Sequence, residues 1–208
     1  MKKLLVVVSM LLMANVNAQK FEAAMEKGMM QFKDAKSPEE MLATSAFFER
    51  VAEAEKDKWL PYYYAAQTQI LAAWMNPKSD KDKLAEKANS LILKAELISA
   101  NNSEIYCLKQ MTAVLQLTVD AMNRWQTYGA IASEAIAKAK AADASNPRPY
   151  LLEGQYLMNV PEAFGGGKAV AKKILEKSLT LFESFQSASP FHPNWGKDQA
   201  TTALAACQ

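Results

Sequence analysis

The chain has 208 residues, half of them hydrophobic, with 7 Gly, 8 Pro and a formal net charge of +2. That is enough apolar material for one ordinary domain or a short solenoid, and too little Gly and Pro for a disordered or all-β chain. The near-balance of charge leaves none of the basic excess that nucleic-acid binding requires.

The chain opens MKKLLVVVSMLLMANVNAQK. Lys2 and Lys3 form a basic start, Leu4 to Met13 an apolar run of ten, and Val16 and Ala18 are small enough for signal peptidase. Residues 1–18 are therefore expected to be a cleaved Sec signal peptide, with 19–208 left as a single domain, periplasmic or secreted in the manner of Gram-negative export. A membrane anchor needs about 20 apolar residues, and Asn15 and Asn17 interrupt the run first. No later stretch is apolar enough to span a bilayer, so no stable membrane insertion is expected after cleavage. Of the 24 basic residues, loss of Lys2 and Lys3 leaves 22 against 22 acidic ones.

Helical periodicity follows. From Lys20 to Ala35, Phe21, Ala24, Met25, Gly28, Met29 and Phe32 recur at steps of three and four. Ser37-Pro38-Glu39-Glu40 supplies an N-cap, a proline for the first helical position and first-turn acids. The helix it starts should run to about Lys56, with Met41, Thr44, Phe48, Val51 and Ala52 inward. Trp59–Trp74 is the next, containing Tyr62-Tyr63-Tyr64. These rings either fill the grooves between helices or, at Tyr63, face a binding surface. Lys81–Ser99, Glu104–Val119 and Trp125–Ala144 follow, with Leu84, Ala88, Leu91, Ile92 and Ala95 inward in the first and Ala132, Ile136, Ala139 and Ala142 in the last. A helix from about Asn146 stops at Pro161, Gly165-Gly166-Gly167 turns the chain, and another helix begins near Lys168. Ser189–Asn194 is a rigid linker with Asn194 as a cap, and Trp195–Ala206 is a final short helix. No alternating strand pattern occurs.

Tyr62, Tyr106 and Tyr150 are spaced 44 apart twice, and the same step aligns Thr44/Ala88/Ala132, Phe48/Ile92/Ile136 and Val51/Ala95/Ala139. A period of this length marks a repeat architecture. One hairpin cannot bury both of its apolar faces, whereas stacked hairpins share a continuous core. The last step shortens, from Ala132 to Ala171.

These positions resemble the tetratricopeptide repeat family. Tyr62/Ala66 and Tyr150/Gly154 match its first-helix aromatic and small pair. Ala88/Ile92/Ala95, Ala132/Ile136/Ala139 and Ala171/Leu175/Ser178 match its small, bulky, small second helix. The pieces WLPYYYAA, NPRPY, PEAFGGGKA and PNWGK also resemble exported bacterial proteins of this kind whose role is unassigned. The period exceeds the family's usual ~34 residues, Gln110 stands at a small position and Thr44 at an alanine one. The resemblance implies an all-α, right-handed helical-hairpin solenoid of about four hairpins with a C-terminal capping helix. It also implies a concave groove lined by the first helices. Register then points to Tyr63 and Gln67, to Glu104, Cys107, Met111 and Val114, and to Arg148, Leu151, Gln155 and Met158.

The chemistry is sparse. Gly165-Gly166-Gly167-Lys168 departs from the phosphate-loop spacing, with Glu162 at its first glycine and Ala169 after the lysine; it reads as a turn, or as an anion site at the following helix. His192, the lone histidine, lies between prolines without a nucleophile signature. Cys107 and Cys207 are either a disulfide or two unpaired thiols, in no redox or haem-attachment motif. No enzyme activity, cofactor or metal is expected. The expected function is an exported, non-catalytic scaffold that binds a protein or peptide partner through Tyr63, Gln67, Glu104, Met111, Arg148 and Gln155. The alternative is a small-ligand-binding transport accessory of the periplasm.

Overall fold

The computed structural model describes residues 19–208; the expected signal peptide, 1–18, lies outside them. α1 covers 19–34, α2 Pro38–Ala54, α3 Trp59–Met75, α4 Lys81–Ile98 and α5 Ser103–Leu117. A short α6, Ala121–Arg124, runs into a π-helical turn, Trp125–Gly129, and then α7, Ala130–Ala142. α8 is Arg148–Leu157, α9 Lys168–Ser184 and α10 Lys197–Ala205. No strand occurs among the described residues.

The order is the expected all-α stack of helical hairpins with a C-terminal cap. Successive helices pack in chain order from α2 to α5, then α5 on α7, α7 on α8, α8 on α9 and α9 on α10. α5 also touches α3 on one side and α8 on the other, forming the inner row. α1 closes on α2 at Gly28, where a Cβ would stand 2.5 Å from the Phe48 ring. The Gly154 seam does the same for α8 and α9: a Cβ there would lie 2.6 Å from Leu175 Cγ.

Local chemistry explains the boundaries. At α2, the Ser37 hydroxyl accepts from the Glu40 amide at 3.1 Å, while the Glu40 carboxylate accepts from the Ser37 amide at 3.0 Å, a reciprocal capping box. Backbone amides of Lys36 and Ser37 hold the Glu40 carboxyl below its usual range. α2 buries the expected face and adds Ser45, whose hydroxyl donates to the Ala65 carbonyl at 2.8 Å. α3 is buried on nearly every side, as suits a largely apolar helix, and Gln67, Thr68 and Gln69 lie inside along with all three rings of Tyr62-Tyr63-Tyr64. Each of the three tyrosines spaced 44 apart has a lysine over its ring, although the lysines themselves are out of register. Lys94 sits over the Tyr62 ring at 5.4 Å, Lys109 over Tyr106 at 5.5 Å and Lys140 over Tyr150 at 4.6 Å.

Two boundaries differ from the expectation. The helix read from Trp125 is regular only from Ala130, because Asp120 caps a separate turn and the chain passes through the π turn. Gly129 there lies so close to Tyr156 that a Cβ would stand 2.8 Å from its hydroxyl. The last helix starts at Lys197 behind Gly196, not behind Asn194, since Trp195 turns inward. Gly196 has φ 117°, and a Cβ there would meet Phe182 Cζ at 2.6 Å. Gly196→Ala is thus expected to lower stability by about 1–3 kcal/mol, measurable by denaturant titration. An unchanged midpoint would mean that this turn bears no strain.

Candidate functional site

The linker 185–196 explains the inner face. It crosses the first helices and fills the part of the groove that the N-terminal repeats would otherwise offer. Tyr64 donates its hydroxyl proton to the Phe191 carbonyl at 2.8 Å, and Trp195 Nε1 donates to the Tyr63 hydroxyl at 2.8 Å. Arg148 Nη2 donates to the Pro193 carbonyl at 2.6 Å. Its guanidinium lies 4.5 Å from the Phe185 ring centroid and 5.4 Å from that of Trp195. Phe191 meets Phe21 edge-on, and His192 meets Trp59 in the same way.

Beneath the linker sits a buried ion pair. Arg148, fully buried, donates from Nη1 to Glu104 Oε1 at 2.8 Å. Asn146 Nδ2 donates to the same oxygen at 2.7 Å and to Ser103 Oγ at 3.0 Å. Glu104 and Arg148 are 44 residues apart, so the repeat itself places an acid and a base at equivalent positions of neighbouring units. Burial pushes the Glu104 carboxyl above its ordinary value, although Arg148 and Asn146 oppose the shift. Burial also pushes the Tyr63 phenol and the Cys107 thiol up.

The groove residues read from register therefore separate. Tyr63, Gln67 and Arg148 are interior, and Glu104 is enclosed with them; a side chain sealed beneath its own linker cannot line an open groove. Met111 and Gln155, with Val114, line a real cleft instead.

That cleft has a volume of about 1150 Å³. Its floor is formed by α5 and α8, through Gln110, Met111, Val114, Leu152 and Gln155. Its walls come from the two long turns of the C-terminal hairpins. Residues 118–129 contribute Ala121, Met122 and Trp125, and the 158–167 turn contributes Val160, Pro161 and Phe164. The turn between α3 and α4 spans only 76–80 and builds no such wall. Trp125 and Phe164 face each other with ring centroids 6.0 Å apart. Exposure of Met122 at 87%, Phe164 at 72% and Trp125 at 53% is a large apolar surface to leave in water, and such patches mark binding sites. No lining residue carries a formal charge.

The 118–129 wall is held from behind. Arg124 makes a two-pronged contact with Asp82 of α4, at 2.6 and 2.8 Å, and a third bond to the Gln116 carbonyl at 3.1 Å. The Arg124 guanidinium holds the Asp82 carboxyl below its usual range. Sequence reasoning missed this wall because Trp125 was placed on a continuous helix. The sequence trace of the wall is the weak pattern break at Asp120–Asn123, which contains Met122 and is followed by Arg124 and Trp125.

The remaining candidates have structural places. Gly165 and Gly167 take φ 82° and 94° in the turn before α9. Cys107 and Cys207 are unpaired, Cys107 among Ile136, Ala139 and Leu152. His192 lies in the linker with Nδ1 2.7 Å from Ser189 Oγ, and burial lowers its basicity. Among the described residues no cluster of three or more His, Cys, Asp or Glu could hold a metal ion, and no helix is long and apolar enough to cross a membrane.

No family model matches the chain, and no curated protein does. A solved structure does match: the HusA haemophore from Porphyromonas gingivalis, with a TM-score of 0.82 and 37% identity over 90% of this chain and 92% of that one. The tetratricopeptide resemblance is thereby reduced to its coarser part, a helical repeat fold. The expected protein or peptide partner is also corrected: the matched protein is named for haem, a small ligand, and the linker already occupies the groove that a peptide would need. With this identity over nearly the whole of both molecules, the chain belongs to the family of the HusA haemophore.

Proposed function

We propose that the protein is an exported, non-catalytic carrier that binds haem, or a planar tetrapyrrole of the same shape, in the cleft between α5, α8 and the two long turns. The observation that carries this reading is the cleft itself, about 1150 Å³ and lined without a single charged side chain. Ligand pockets usually hold about 300–1,000 Å³, so the space suits a large, rigid ligand with apolar faces. Trp125 and Phe164 at the lips and Val114, Met111 and Leu152 on the floor offer flat and adaptable contacts to such faces. The likeness to a haemophore points the same way. It favours the small-ligand alternative over the scaffold.

Proteins hold haem iron through His, Cys, Met or Tyr. His192 and both cysteines lie outside the cleft lining. Of the cleft residues, Met111, Met122 and Tyr156 have atoms of the right kind, and any coordination of the iron would come from them. The apolar walls exclude water from the ring and orient it. Residues 19–208 are taken as the mature unit, periplasmic or secreted after removal of 1–18.

The test is a titration of hemin into residues 19–208, followed by the Soret band and by tryptophan fluorescence, since Trp74 and Trp125 line the cleft. A saturable one-to-one change in both signals is expected. A Soret band unaltered from free hemin, with fluorescence unaffected, would overturn the reading.

A further inference from the structure

We infer that Lys81 is the anion-recognition residue of the cleft, pairing with a carboxylate on the edge of the bound ligand. The inference rests on the haem reading above. A cleft lined only by neutral side chains penalises any buried carboxylate. The acidic edge of a haem-like ligand must then stay at the mouth, where the adjacent cation decides its orientation.

Lys81 is the first residue of α4 and is half-buried. Its Nζ donates to Thr118 Oγ1 at 3.1 Å and lies 5.3 Å from the Trp74 ring centroid. Thr118 and Trp74 both line the cleft, so the ammonium is held at the rim by two of the site's own walls. An ammonium has three donors, and Thr118 takes one. Among the described residues no carboxylate forms an ion pair with it. The acids of this edge are otherwise engaged. Asp82 holds Arg124, Asp80 accepts from the Lys83 amide at 3.0 Å, and Asp120 accepts from Asn123 through both oxygens. Arg124, the other cation here, is committed to Asp82 and supports the wall. Lys81 is left with two donors for a ligand.

The experiment compares protoporphyrin IX with its neutral bis-ethanolamide, titrated into residues 19–208 and into the Lys81→Gln, Lys81→Glu and Lys81→Arg variants. Lys81→Gln is expected to weaken binding of the dicarboxylate about fivefold and Lys81→Glu more, the scale of one charge-assisted contact at a partly exposed site. The amide should bind all four proteins alike, Lys81→Arg should retain the preference, and added salt should reduce it. Equal affinities across the variants, or equal losses for both porphyrins, would overturn the role of Lys81 while leaving the haem reading intact. Failure of the wild-type chain to bind either porphyrin would sink both.

Discussion

Replacing Arg148 with methionine is expected to destabilise the protein by about 3–5 kcal/mol, the range for breaking a buried ion pair from one side. Arg148 is fully buried and makes bonds to Glu104, Asn146 and the Pro193 carbonyl. Methionine fills much of the volume but leaves Glu104 without its cation and the linker without its anchor. A double variant, Arg148→Met with Glu104→Gln, should recover a large part of the loss, because the uncompensated charge is gone. The pH dependence has a definite sign. Burial already holds the Glu104 carboxyl above its ordinary value, and Arg148 is the largest opposing influence. Without Arg148 the folded state keeps that proton to still higher pH. A group whose folded-state pKa is raised loses its contribution as pH rises from the unfolded value through the folded one. The deficit of Arg148→Met should therefore be larger at about pH 8 than at about pH 5. Chemical denaturation at the two pH values measures this. A loss below about 1 kcal/mol, typical of exposed pairs, would show that the linker and the pair do not hold the fold.

The second large effect concerns the ligand. Val114→Glu places a carboxylate on the cleft floor, where no lining residue carries a compensating charge. Contact with an apolar ring face would then require burying that charge unpaired, so hemin affinity should fall at least about 100-fold, equivalent to about 3 kcal/mol. Val114 is only half-buried without ligand, so the free protein should keep its helical circular dichroism and most of its melting temperature. Leu97→Glu serves as the control, since Leu97 is 88% exposed on α4 and outside the cleft. Equal hemin binding by wild type and Val114→Glu, with the fold intact, would place the ligand elsewhere on the molecule.

Both expectations depend on the same division of the inner face. Register alone assigned Tyr63, Arg148, Met111 and Gln155 to one groove. The first two are covered by residues 185–196, which return from the far end of the chain to bond Tyr63, Tyr64 and Arg148. A contact between Trp195 and Tyr63 spans 132 residues, and no periodicity carries information at that range. Met111 and Gln155 remain open because the two long turns stand away from α5 and α8 and build walls around them. The 44-residue step is kept across the short 76–80 turn as well as across 118–129, so the repeat length did not mark the site.

By itself the sequence determined the parts governed by short-range physics. The helices follow from steps of three and four and from the Ser37–Glu40 capping signal; the hairpin seams follow from small residues at Ala66, Ala88, Ala132, Gly154 and Ala171. The turn follows from Gly165 and Gly167, which tolerate positive φ. Stacking followed from the 44-residue period, because repeated faces can only bury one another. The tertiary structure decided which of the inward side chains meet water. That depends on where the linker lies and how far residues 118–129 and 158–167 stand from the stack. Those placements are fixed by a few long-range contacts, Arg148 with Pro193, Trp195 with Tyr63 and Arg124 with Asp82 among them, and such isolated contacts leave no periodic trace in a sequence.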